Sequence, residues 1–303
     1  MGAEKTLTMT QCLATLLRAI VDYAGLFPPA ALSMHDAVRN YAEYQASGDA
    51  WMLGRFIVPV ARLAEFESEA SQLLPTDSSP WKLSALAGTN LDDDLKAISE
   101  FNSRRIGATV DTIEMKATRV EEILAAASLI PKTFLVFVEI PIDNDPTSLV
   151  QTIANAGVKA KIRTGGVTAD GFPSSRELAR FIRVCAENNV QFKATAGLHH
   201  PIRAMYNLTY EPNSAQGKMF GYLNVFLAAA FMNNGMQQNE AVEVLEEESA
   251  DAFRFDDDGV RWRSHHLAAA ELLRVRETTA LSFGSCSFRE PIDDLNAHNL
   301  FRR

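Results

Sequence analysis

Cysteine is scarce in this 303-residue chain: Cys12, Cys185 and Cys286 make an odd number with no short metal-type spacing. Neither a disulfide framework nor a zinc cage is expected, and a reducing cytoplasm is the simplest compartment. Long hydrophobic runs are absent too. The apolar stretch from Cys12 to Ile20 is broken by Arg18, and Met1 to Thr8 is polar, so neither a secretory segment nor a membrane partner is expected. Gly2 with Thr6 matches the loose myristoylation pattern, which is short enough to arise by chance. The Asn207-Leu208-Thr209 sequon is idle without a secretory route. Basic charge is in deficit, with 29 Lys+Arg against 38 Asp+Glu and a net charge of −9. That excludes a surface that binds nucleic acid throughout, because such binding rests on neutralising phosphates. P-loop, dinucleotide-binding, His-Glu-x-x-His and serine-elbow patterns are all missing.

What is present is a rhythm. From residue 54 onward, short apolar or β-branched runs beginning near Arg55, Lys82, Ile113, Phe134, Lys159 and Gln191 alternate with amphipathic helical stretches. Such alternation marks βα units and a parallel sheet. Thr118-Arg119-Val120-Glu121 and Ser174-Ser175-Arg176-Glu177 read as capping boxes, and Asp92 to Asp94 place negative charge on a first turn. After Gly197 a loop to about Gly217 is expected, then helices near Met219 to Met232 and Asn239 to Glu248. A hairpin follows around Asp256 to Gly259, then a helix from His265 to about Glu277 and a strand at Leu281 to Phe283. Counting the irregular piece as the seventh element gives an α/β chain folded as a (β/α)8 TIM-type barrel with a remodelled last quarter. One domain over 1–303 is expected, with 1–50 as an N-terminal helical extension made of Gln11 to Tyr23 and Ser33 to Ala46.

Strand parity then locates the chemistry. Alternate residues of a barrel strand face the helices and the interior, so inward charges near strand C-termini point at the active face. Val158, Ala160 and Ile162 meet helices, which sends Lys161 and Arg163 inward; the same logic sends Lys193 and Thr195, Glu139, and Glu114 with Lys116 inward. These six charges, two carboxylates against four cations, favour a small anionic substrate, although a paired network that merely plugs the barrel would explain them as well. Thr164, Gly165 and Gly166 offer backbone N–H groups beside Arg163, and Gly197 precedes His199 and His200. Phe283-Gly284-Ser285-Cys286-Ser287 ends the last strand with small polar residues, which makes Ser285 a candidate anion ligand. Cys286 has no base nearby in sequence and is not expected to be a nucleophile. Asp256 to Asp258 reads as a solvated turn before a calcium-type site.

Lys161-Ile162-Arg163-Thr164-Gly165-Gly166, a helix, and then Phe192-Lys193-Ala194-Thr195-Ala196-Gly197 resemble the paired lysine strands of deoxyribose-phosphate aldolase-like class I aldolases. The resemblance covers residues 159–200. It implies that one lysine forms a Schiff base with a carbonyl substrate while the lysine of the next strand lowers its pKa. The strand count from Arg55 places the pair on the fifth and sixth strands, one position short of the family's pair. Taken whole, with Asp22-Tyr23-Ala24-Gly25-Leu26-Phe27-Pro28-Pro29 and Phe283 to Ser287, the chain resembles a group of bacterial barrel proteins, which implies no particular activity.

The leading expectation is a Schiff-base lyase without a cofactor. In it Lys193 or Lys161 is the nucleophile, Glu139 and Glu114 carry protons, and Arg163, Lys116, Thr164, Gly165, Gly166, Thr195, His199 and Ser285 bind substrate. A metal-assisted isomerase, epimerase or hydrolase using a divalent ion on Glu114, Glu139, His199 and His200 is the alternative, and a non-catalytic anion-binding barrel is the third. The oligomeric state is left open.

Overall fold

The computed structural model describes residues 9–76, 79–298 and 300, so Gly2 and Thr6 lie outside the described residues. The chain opens with α1 (Gln11–Leu17), capped by Thr10, and the strand β1 (Val21–Tyr23). The expected helix to Tyr23 is thus cut short. Arg18 caps α1 and Ala19 turns left-handed (φ 47), which reverses the chain and frees Val21 to Tyr23 to pair. Ser33 then caps α2 (Met34–Gln45). The expected alternation follows as β2 (Leu53–Pro59), α3 (Leu63–Ala70), β3 (Trp81–Leu86), α4 (Leu91–Ser103), β4 (Ala108–Lys116), α5 (Val120–Leu129), β5 (Leu135–Glu139), α6 (Thr147–Ala156), β6 (Lys159–Arg163), α7 (Ser175–Glu187) and β7 (Phe192–Thr195). The Ser174–Glu177 capping box is present. In the other, Glu122 rather than Glu121 accepts the Thr118 and Arg119 N–H groups, so that box sits one residue later than expected.

The remodelled quarter has more strand than its sequence announces. Where a loop is expected, β8 (Ala204–Asn207) and β9 (Gln216–Met219) form an antiparallel hairpin. The buried α8 (Tyr222–Asn233) and α9 (Gln238–Glu246) follow. The expected hairpin is β10 (Phe253–Phe255) against β11 (Gly259–Trp262), and β12 (His265–Ala268) adds a third strand where the helix was expected to begin. That helix is α10 (Ala269–Thr278); β13 (Ala280–Ser285) and α11 (Arg289–Ala297) complete the chain.

Eight strands, β1 to β7 and β13, close into an all-parallel barrel in which β1 joins β13 to β2. The molecule is a (β/α)8 TIM-type barrel. Its first strand comes from the segment expected to lie outside it, and the irregular quarter contributes no barrel strand before β13. Every later strand therefore moves up one place: Lys161 is on the sixth barrel strand and Lys193 on the seventh. One apolar core runs from Cys12 to Leu300 and includes α8, which packs against α7, α9, α10 and β13.

Candidate active site

Register places the inward charges at one level. Glu139 stands opposite Lys161, and Lys161 opposite Lys193, on neighbouring strands. Two lysines side by side repel, so something of opposite sign must reach between them. Glu114 does so from β4: one carboxylate oxygen lies 2.8 Å from Lys161 Nζ, and the other lies 2.7 Å from Lys193 Nζ and accepts the Ser84 hydroxyl at 2.6 Å. Lys193 also donates to Asp22 at 2.5 Å. Asp22 in turn accepts the Ser282 hydroxyl at 2.8 Å and the Arg55 N–H at 2.8 Å. Lys161 reaches Glu139 at 2.9 Å, and the Glu139 carboxylate faces Lys116 and Arg163, each at 3.8 Å.

The result is a chain of alternating charge, Asp22, Lys193, Glu114, Lys161, Glu139, running from the buried seam of the barrel to its mouth. Its first five members are buried, while Lys116 and Arg163 at the end have side chains 75% and 54% exposed. Asp22 is the member that strand parity missed, because β1 was read as helix. With it, three carboxylates face four cations, and the formal excess is smaller than that of the six charges counted without it. A plug that paired Glu114 with Lys116, and Glu139 with Lys161 or Arg163, is half present: Glu139 does face Lys161 and Arg163, but Glu114 holds Lys161 and Lys193, not Lys116.

Burial alone would push the Glu114 carboxyl up and the Lys161 ammonium down. For Glu114 the two lysines overcome this and hold it well below the usual carboxylate range; for Lys161, Glu114 and Glu139 raise the ammonium above the usual lysine range. This reverses the expectation that a neighbouring cation depresses the reactive lysine, because a carboxylate stands between the two cations.

Above this chain opens a cavity of about 330 Å³. Glu114, Lys116, Glu139, Lys161, Arg163, Gly166, Thr195, His199 and His200 line it. Four other candidates stand elsewhere. Lys193 is fully enclosed and does not line the cavity. Thr164 is enclosed and donates its hydroxyl to the Ala196 carbonyl at 2.6 Å. Gly165 packs on Gly197 and Phe172, and Ser285 is buried with its hydroxyl accepting from the Ser287 N–H at 3.4 Å. Tyr210 from the β8–β9 hairpin, Cys286 and Glu290 also line the cavity, none of which was expected to bind substrate.

The residues of the metal alternative are spent on other partners. Glu114 and Glu139 face lysines, His199 Nδ1 lies 3.1 Å from Glu290, and His200 Nδ1 lies 2.5 Å from Asp294. Among the described residues, no group of three or more His, Cys, Asp or Glu could hold a metal ion. At the Asp256 turn, the Asp256 carboxylate accepts the N–H groups of Asp258 and Gly259, which is the geometry of a turn.

Fold and site together define a (β/α)8 barrel with a charge-lined cavity at the C-terminal ends of its strands, where barrel active sites lie. No protein-family model matches this chain, and no curated protein matches it in sequence. No helix among the described residues is long and apolar enough to cross a membrane.

Proposed function

We propose that the protein is a Schiff-base lyase acting on a small anionic carbonyl compound, with Lys161 as the nucleophile. The observation that carries this is the position of Lys161: its amine lies on the cavity floor between two carboxylates, while the second lysine is sealed behind Glu114. The two lysines also occupy the sixth and seventh strands, the pair that the aldolase resemblance implies.

Glu139 is the better proton acceptor of the two carboxylates. Its Oε2 is buried and lies 2.9 Å from Lys161 with no second cation on that oxygen, so it is placed to take the Lys161 proton, whereas Glu114 is shared between Lys161 and Lys193. The neutral amine attacks the carbonyl carbon, the oxygen leaves as water after protonation, and an imine remains. Once the imine nitrogen is protonated, loss of the proton from a hydroxyl on the β-carbon to Glu139 breaks the bond between the α- and β-carbons. The β-carbon leaves as an aldehyde, and the bond's electron pair moves toward the iminium nitrogen as an enamine on Lys161. Protonation of that enamine followed by hydrolysis with water frees the amine. Lys116, Arg163 and the Gly166 N–H at the mouth suit a carboxylate or phosphate on the substrate. A cavity of about 330 Å³ suits a small metabolite.

Borohydride reduction in the presence of aldehydes and keto acids is the test. A mass adduct on Lys161, absent from Lys161→Met, is the expected result, and no adduct with any of them sinks the proposal. The completeness of the charge pairing favours one other reading, a non-catalytic anion-binding barrel. On that reading metabolites would raise the melting temperature through Lys116 and Arg163 while nothing is trapped.

A further inference from the structure

The cavity that Lys161 lines is also lined by Cys286, a group the lyase reading does not use. Cys286 Sγ lies 3.9 Å from His199 Nδ1 and 3.4 Å from the Tyr210 hydroxyl, and the Ala30 N–H is also directed at it. The same His199 nitrogen lies 3.1 Å from Glu290, which keeps a positive charge on the ring favourable. Tyr210 also reaches Glu290 at 3.1 Å, so its single proton can serve either the carboxylate or the sulfur. The other two cysteines have no such company: Cys12 and Cys185 are fully enclosed, and burial pushes the Cys12 thiol up to about 12 and the Cys185 thiol higher. At Cys286 burial acts the same way, but His199 and Tyr210 reverse it and the thiol falls below its usual range. His199, despite its own burial, is pushed up to about 9 by Cys286 and Glu290. These contacts favour the thiolate at Cys286 and the imidazolium at His199, the arrangement that makes a cysteine nucleophilic.

We propose that Cys286 is a second covalent centre of this cavity, adding through its sulfur to the carbonyl carbon of an aldehyde while His199 protonates the oxygen. The sulfur lone pair forms the C–S bond, the carbonyl π pair moves to oxygen, and that oxygen takes the His199 proton. The product is a hemithioacetal. No oxidant or reductant is needed, and the reverse step restores thiolate, imidazolium and aldehyde. The aldehyde assignment rests on the lyase reading in one respect: carbon–carbon cleavage at Lys161 releases an aldehyde into the enclosure that Cys286 also lines. Cys286 would hold that fragment while Lys161 keeps the other.

The experiment uses the full chain with ¹³C-carbonyl-labelled glycolaldehyde and carbon NMR. A protein-bound hemithioacetal resonance is expected in wild type and in Lys161→Met, and it disappears in Cys286→Ser. It should be at least about tenfold more tightly populated than with glutathione, and weakened by His199→Gln. In wild type, needing no variant, the aldehyde should slow iodoacetamide alkylation of Cys286. A bound resonance that persists in Cys286→Ser, or none in wild type at concentrations where glutathione shows one, overturns the inference. An imine trapped on Lys161 with no hemithioacetal defeats this inference alone; a hemithioacetal with nothing trapped on Lys161 defeats the lyase reading and leaves Cys286 as an aldehyde site.

Discussion

The amine of Lys161 is the residue on which the proposed chemistry turns, and its surroundings fix how that chemistry depends on pH. Glu114 and Glu139 raise its ammonium against burial, so the neutral amine is a minor species near pH 7. The rate of borohydride trapping should then climb about tenfold per pH unit from pH 7 to 9 without levelling. A plateau in that range would show that the carboxylates do not hold the proton. Glu114 carries the opposite sign. Its carboxyl is depressed, so the stabilisation it gives is complete at neutral pH and is lost as pH falls toward its folded-state value. Glu114→Gln leaves Lys161 and Lys193 short of a counter-charge in the barrel and should cost about 3–5 kcal/mol in urea denaturation at pH 7, with a flatter acid limb. At this scale the sequence was highly legible. Alternation along β4, β5, β6 and β7 sends Glu114, Glu139, Lys161 and Lys193 inward, since a single apolar parity decides each strand. What alternation could not supply was the partner of each charge. Glu114 reaches across to lysines on β6 and β7, and the base beside Cys286 is His199, far away in sequence.

Elements position these groups through a close crossing of two loops. Gly165, after β6, and Gly197, after β7, touch so closely that a Cβ on Gly197 would lie 2.8 Å from the Gly165 Cα and 2.9 Å from the Phe172 ring, and Gly197 is itself left-handed (φ +68). Gly197→Ala therefore meets backbone that cannot swing away, and a cost of about 1–3 kcal/mol is expected for the overpacking. Gly157 shares the φ of +68 but has open space where its Cβ would stand, so Gly157→Ala isolates the conformational part, roughly 1 kcal/mol. His199 is two residues beyond Gly197, so only the first substitution should also slow alkylation of Cys286. Equal costs with unchanged alkylation would mean that the crossing does not position the loop. The glycines were read from the sequence as open N–H donors, and their packing was invisible because it involves strands whose paired residues are 32 positions apart in the chain. The β8–β9 hairpin was unreadable for a related reason. Its strands are four residues each, β8 alternating half-buried with exposed positions and β9 exposed with buried ones, too short to show a period, and the hairpin finds its place over the cavity, which Leu208, Tyr210 and Met219 help to line.

For the molecule as a whole, the decisive contact is the one that closes the cylinder. β1 is three residues long, yet it pairs with β13 on one side and β2 on the other. So short a strand contributes few ladder bonds, and Asp22 adds what they lack: its carboxylate ties the Arg55 N–H on β2, Lys193 on β7 and Ser282 on β13 to one point. The barrel count was legible from the later strands, whereas the seam was not, because Val21-Asp22-Tyr23 is too brief to show a period of its own. Asp22→Ala should consequently act on the whole fold. It removes one of the two carboxylates on Lys193 and strips the Arg55 N–H of its acceptor, and a loss of about 3–5 kcal/mol is expected. Hydrogen exchange separates this from a local effect. If the carboxylate welds the seam, protection falls together in β1, β2, β7 and β13, which share no stretch of sequence and meet only through the closed barrel. Were residues 10–50 merely laid on a barrel complete without them, the loss would stay within that segment, with β7 and β13 as protected as in wild type. The first pattern also carries a functional consequence. Lys193, left with Glu114 as its remaining carboxylate, would draw on it more strongly, the charge on Lys161 would be counterbalanced less by that carboxylate, and trapping at Lys161 would quicken although Asp22 does not line the cavity.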